Sequence, residues 1–240
     1  MNRVQKKETL IPVAHHTLGM PNDKSADTIA FMNEYTDASS VSDFVSSQNW
    51  NEDAGRVERV LLGEPTEEDT QYLESKLGGL GHKKDSRSAI QYAEELLRGW
   101  VIEDVLRTEL ASQGLPVELS GEDKEREFLE ETTADADLVL QNDGKTTHIE
   151  VVSDYTGFWK RTGNADLRDN KFNQIKSHDE TLLLGIDFDS NTVFVVDPET
   201  VPSDYMQSHP YWNKPAYRLD VSATPFVELP ELPNQISELL

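Results

Sequence analysis

Two acidic residues on opposite arms of an apolar hairpin are the first chemistry-bearing pair in this sequence. In DADLVLQNDGKTTHIEVVSDY (residues 135–155), Asp143-Gly144 is a two-residue turn signal, because both residues tolerate the positive φ of a type I′ loop. With Asn142 paired to Lys145, counting outward sets Asp137 opposite Glu150. Opposed Cβ atoms in an antiparallel pair lie roughly 4.5–5.5 Å apart, and like charges there are destabilising. Leu138, Leu140, Ile149 and Val151 point to one face. The carboxylates share the other face with Val139 and Val152. A cation between them would relieve the repulsion, and hard divalent ions such as magnesium favour such oxygen ligands. The bland alternative is two solvated acids on an exposed sheet face.

The elements around the hairpin follow from periodicity. Residues 86–114, SRSAIQYAEELLRGWVIEDVLRTELASQG, read as one long amphipathic helix with an apolar stripe of Ile90, Ala93, Leu97, Trp100, Val101, Leu106 and Leu110, stopped by Gly114. A short strand is expected at 116–119, then the hairpin, a helix over 164–177 with Leu167, Phe172 and Ile175 inward, and apolar strands at 181–188 and 192–196. Helix, strand, hairpin, helix, strand, strand predicts an α/β fold: a mixed sheet flanked by helices. Residues 1–85 are polar, with short helices expected near 27–35, 41–47, 54–62 and 66–77. The last begins with an acidic first turn that suits a helix N-terminus. Residues 201–240 are proline-rich and expected to be mostly extended or looped, packing on the core. The expected organisation is therefore an N-terminal region (1–85), a core (86–200) and a C-terminal tail (201–240).

The 240-residue chain carries 45 acidic against 22 basic residues, a net charge of −23. Three explanations compete: adaptation to a salty cytoplasm where screening is short-ranged, mimicry of DNA phosphates, or an ordinary acidic surface with one less acidic working face. The absence of cysteine excludes disulfides and thiolate metal sites. No apolar run is long enough to span a membrane and no signal peptide is expected, so a cytoplasmic location and no membrane partner are the expectation. The six histidines show no zinc spacing, and no phosphate-binding glycine pattern is present.

The element order over residues 86–197, with these carboxylates, resembles the PD-(D/E)xK nuclease superfamily, which includes many restriction endonucleases. In that family an acid sits on the helix before the sheet, an Asp begins the second strand, and an E-x-K follows on the third. The resemblance makes Glu103 the helix acid, Asp137 the first sheet acid and Glu150 the second. Two departures stand out: Ala136 precedes Asp137 in place of the motif proline, and Val152 occupies the lysine position. Lys171, on the following helix, is the first candidate to supply that lysine, with Lys160 second; each is alternatively a solvated surface lysine. Glu103 borders the buried stripe, so it enters the site or pairs with Arg107 one turn on.

Phosphodiester hydrolysis needs a metal to polarise the phosphate and activate water. The resemblance implies magnesium, or manganese, on Asp137, Glu150 and the Val151 carbonyl. DNA is the implied partner, and a homodimer would supply the two sites needed to cut both strands. Residues 157–178 hold Lys160, Arg161, Arg168, Lys171 and Lys176 against Asp166 and Asp169, a local reversal of charge suited to phosphate binding. Phe158 and Trp159 could add stacking, or Trp159 could be a core plug. Gln174 could reach a phosphate or be a polar helix edge. Lys83, Lys84, Arg87 and Arg98 form a second candidate phosphate contact. A metal-dependent DNA endonuclease of restriction type is the leading expectation. Its alternatives are a nuclease-fold module that binds nucleic acid without cutting, favoured by Val152, and an acidic DNA mimic.

Overall fold

The computed structural model describes residues 24–38, 40–47, 54–79, 88–120, 136–142, 144–178, 180–210 and 213–240. Four helices come first: α1 (Lys24–Tyr35), α2 (Val41–Ser47), α3 (Ala54–Leu61) and α4 (Glu67–Gly79). They are short, and their stability comes from tertiary packing: α1, α3 and α4 lie on the long helix α5 (Ala89–Ser112), and α2 lies on α3. Phe31, Met32, Val57, Val60 and Leu73 share one apolar cluster with Leu97, Leu106 and Leu110 of α5. Asp69, in the acidic first turn of α4, is fully buried. Its carboxylate accepts hydrogen bonds from Arg56 at 3.1 Å, from Arg59 at 2.7 and 2.8 Å and from the Thr66 amide at 2.9 Å, tying α3 to α4. Ser88 and Gln91 close a reciprocal capping box at the start of α5.

After α5 the chain forms β1 (Val117–Leu119), β2 (Leu138–Asn142) and β3 (Lys145–Asp154), then a short helix α6 (Phe158–Thr162) and a strand β4 (Asn164–Arg168). Helix α7 (Asp169–Ile175) precedes β5 (Thr181–Asp187) and β6 (Thr192–Val196). The chain finishes with β7 (Ser203–Met206), β8 (Ala216–Asp220) and α8 (Leu232–Leu239). The architecture is mixed α/β: a five-stranded sheet in the order β1-β2-β3-β5-β6 and a three-stranded sheet in the order β4-β8-β7. In the larger sheet only β3 and β5 pair in parallel; the other neighbours are antiparallel.

Two expectations differ from this fold. Residues 164–168 are a strand, where a helix was expected from 164. Ala165 and Leu167 alternate inward with period two and pair with Leu219 and Tyr217 of β8, so a tertiary partner overrides the local pattern. Residues 201–240, expected as mostly extended or looped, supply β7, β8 and α8, with Leu219, Leu229, Leu232 and Ile236 buried. The prolines sit where they do no harm: Pro215 precedes β8, and α8 carries its proline in the first turn.

Apolar clusters cover both faces of the large sheet. Leu138, Leu140, Ile149, Leu182 and Leu184 face the helical side. Leu183, Phe194 and Val196 face the second cluster, with Trp159, Leu167, Phe172 and Ile175. The central strand β5 is buried along its length, as expected of a strand covered on both faces. Gly185 leaves room for the Phe194 ring, which a Cβ would strike. No helix among the described residues is long and apolar enough to cross a membrane.

Candidate functional site

The hairpin adopts the expected register. Asn142 pairs with Lys145 and Leu138 with Ile149, so Asp137, just before β2, extends the ladder opposite Glu150. Gly144 takes φ 82°, the positive value a tight hairpin needs; Asp143 lies outside the described residues. Leu138, Leu140 and Ile149 go into the helical-side core, which forces the alternate residues Asp137 and Glu150 onto the other face. Glu150 is 4% exposed and Asp137 24%.

Helix α7 crosses the same side and delivers Lys171 to both acids. Its Nζ forms an ion pair with Glu150 Oε1, lies 3.9 Å from Asp137 Oδ2, and reaches the Val151 carbonyl oxygen at 3.5 Å. The Asp137 carboxylate also accepts a hydrogen bond from the Val151 N–H at 2.7 Å, which fixes one oxygen against β3. One ammonium therefore meets both carboxylates and the carbonyl that sequence reasoning assigned to a metal.

Burial first, and Asp137 second, push the Glu150 carboxyl up to about 7, against the downward pull of Lys171. Burial pulls the Lys171 ammonium down, but Asp137, Glu150 and Glu103 overcome it and hold its pKa above the usual lysine value. Lys171 is thus held charged while Glu150 is poised to exchange a proton near neutral pH. Perturbed groups of this kind concentrate at functional sites, although structural ion pairs produce them too.

Glu103 is half-buried on α5 and acts on Lys171 through its charge. Arg107, its alternative partner by spacing, lies 3.5 Å from Asp104. Among the described residues, no group of three or more His, Cys, Asp or Glu could hold a metal. The oxygen set is therefore two carboxylates and one carbonyl. That set fits magnesium, which commonly keeps several waters and takes one or two protein carboxylates plus substrate phosphate.

Val152 packs against the second apolar cluster and pairs with Gly185 across β3 and β5, so an apolar residue suits position 152. Lys160, Arg161, Arg168 and Lys176 are exposed, and Gln174 is half-buried on α7, three residues beyond Lys171. Lys176 lines a separate cleft of about 290 Å³ with Lys145, His178, Glu180 and Asp197; Asp137, Glu150 and Lys171 do not line it. Trp159 is 6% exposed and packs edge-on against Phe194, so the core-plug alternative holds. Arg98 is also buried, 3.3 Å from Ser25 Oγ and 3.8 Å from Glu94, and so is unavailable for phosphate. Lys83, Lys84 and Arg87 lie outside the described residues.

Sequence reasoning missed the Asp166 cluster, in which Arg218 donates two 2.7 Å bonds and His209 Nε2 lies 3.0 Å away. Strand pairing sets Asp166 beside Arg218, a contact between residues 52 apart that no local pattern signals. The cluster braces the small sheet and removes Asp166 from the local charge balance. Compared with known proteins, the chain matches no family model and no curated relative.

Proposed function

We propose that this protein is a metal-dependent DNA endonuclease of restriction type, with Asp137, Glu150 and Lys171 at its centre. The observation that carries the proposal is the position of Lys171: a helix after the hairpin returns an ammonium to the face shared by both acids. The element order supports a restriction-endonuclease-like core, with Asp137 entering the second strand, Glu150 inside the third, and α6 and β4 inserted before α7.

Asp137, Glu150 and the Val151 carbonyl would hold magnesium, with manganese as a substitute. When bound, the ion supplies Lewis-acid polarisation of a phosphoryl oxygen and acidifies a water. Lys171 would supply positive charge to the phosphate as negative charge builds on it, and its N–H groups would orient the attacking water. Glu103 reinforces the charged form of Lys171. Lys160, Arg161 and Arg168 bind backbone phosphates, with Lys176 and Gln174 contributing from α7. A homodimer would place one such centre on each strand of DNA.

Single-turnover cleavage separates these roles. Lys171→Ala is expected to slow the chemical step by orders of magnitude while weakening DNA binding modestly, because one lost phosphate contact changes the salt slope by about one unit. Lys160→Ala is expected to weaken binding and leave cleavage at saturation nearly intact. The reverse pattern would move the catalytic role to Lys160.

A second reading is a nuclease-fold module that binds nucleic acid without cutting. The ion pair of Lys171 with Glu150, with Asp137 only 3.9 Å away, favours it. The acidic-mimic reading is weaker, because Lys160, Arg161 and Arg168 put exposed positive charge beside the hairpin in sequence.

A further inference from the structure

We infer that Lys171 is a tethered counter-ion seated on the metal-accepting oxygens themselves, so that a divalent cation enters by displacing it and Lys171 sets the metal affinity of the site. This rests on the reading of Asp137, Glu150 and the Val151 carbonyl as a metal-accepting set, and adds how that set is regulated.

The geometry is specific. A single nitrogen pairs with Glu150, lies 3.5 Å from the Val151 oxygen, and lies 3.9 Å from Asp137 Oδ2. A lysine ammonium is a compact, strongly hydrated charge with three donors on a flexible stem, and it can fill a site shaped for a small cation. Two cations cannot share the same oxygens at contact distance without strong mutual repulsion. Lys171 and a metal therefore compete for these oxygens.

The route of the lysine makes displacement feasible. Lys171 comes from α7, not from β3, so it can withdraw without disturbing the strand that carries Glu150. Its side chain is 35% exposed, so the residue stands at the edge of the site and is not sealed within it. A lysine at position 152 would be anchored to the same strand as Glu150 and two residues from it. The replacement of that residue by Val152 thus separates the counter-ion from the ligand-bearing strand. In the metal-free protein, Lys171 also compensates two acids that would otherwise repel across the hairpin.

The test is a titration with manganese of the metal-free full-length protein, followed by calorimetry and by the paramagnetic signal of the free ion. It compares wild type, Lys171→Met, Lys171→Gln and Glu150→Gln, each first confirmed folded by circular dichroism. Lys171→Met and Lys171→Gln are expected to bind manganese about tenfold tighter or more, because they remove a competing charge at contact distance, and Glu150→Gln is expected to lose the site. In wild type, the Lys171 side-chain resonance should shift on addition of magnesium, a measurement that does not depend on any variant folding. Unchanged or weaker binding in both lysine variants, or a Lys171 resonance indifferent to saturating magnesium, would overturn the inference. If wild type still binds manganese through Glu150 in that case, the metal-site reading stands and only displacement falls. Absence of manganese binding in wild type and in both lysine variants would remove displacement and metal site together.

Discussion

At the scale of single residues, two carboxylates and an ammonium define the account. Asp137 and Glu150 were legible in the sequence because hairpin register is fixed by a short turn, and that register decides which residues of β2 and β3 share a face. The approach of Lys171 was legible only as one of two candidates, since nothing local encodes how a helix lies across a sheet. Glu150 has a measurable pH signature. Its folded-state pKa is raised to about 7 from 4.5 by burial and by Asp137, so the native metal-free state holds the proton more tightly than the unfolded chain. The stability from this group is fully present below about pH 4.5 and is lost as pH rises through about 7. Denaturant unfolding of metal-free protein at successive pH values should therefore show falling stability across that window, and Glu150→Gln should flatten it. A slope equal in wild type and variant would assign the pH dependence to other groups.

At the scale of elements, period and partner divide what can be read. Helix α5 was legible from its stripe and its stop, and β5 and β6 from their apolar runs. Strand β4 was not, because Asn164–Arg168 is short and its pairing partner β8 arrives some fifty residues later. Strand β7 was hidden for a different reason: it is largely exposed and carries no alternating apolar pattern. Two elements meet closely at Gly185, where the Phe194 ring lies over β5, wedged against Trp159 and Phe226 with ring centroids at 5.4 and 5.0 Å. Phe194 has no exposed surface into which to retreat. Gly185→Ala should therefore cost about 1–3 kcal/mol through overpacking, read as a lower urea midpoint; an unchanged midpoint would show that the second core yields. In the helical layer, Arg59, hydrogen-bonded to Asp69, holds its carboxyl well below the usual carboxylate range against the cost of burial. That stability is present above the ordinary carboxylate pKa and lost as pH falls below it. Asp69→Asn should cost about 3 kcal/mol at neutral pH, the lower end for a broken buried pair because Arg59 stays partly solvated, with a smaller deficit in acid. An equal deficit at both pH values would argue against a charge-based role.

At the scale of the whole molecule, a net charge of −23 gives folding and the proposed DNA binding opposite salt dependences. Self-repulsion acts over roughly 30 Å at 0.01 M salt and only about 3 Å at 1 M. If the acidity is an adaptation to a salty cytoplasm, unfolding midpoints should rise as potassium chloride approaches molar levels, whereas flat midpoints would leave the charge without that role. DNA affinity should move the opposite way, falling steeply with salt through counter-ion release from Lys160, Arg161 and Arg168. Cleavage must therefore be sought across salt concentrations. The most direct measurement is conversion of supercoiled plasmid DNA by the full-length protein with magnesium, across low to molar salt, beside Asp137→Ala and Glu150→Ala purified identically. Magnesium-dependent nicking and linearisation is expected from wild type and none from either variant, with both variants folded. The proposed activity is contradicted if wild type leaves the plasmid intact with magnesium and with manganese at every salt concentration, or if either variant cuts at near the wild-type rate.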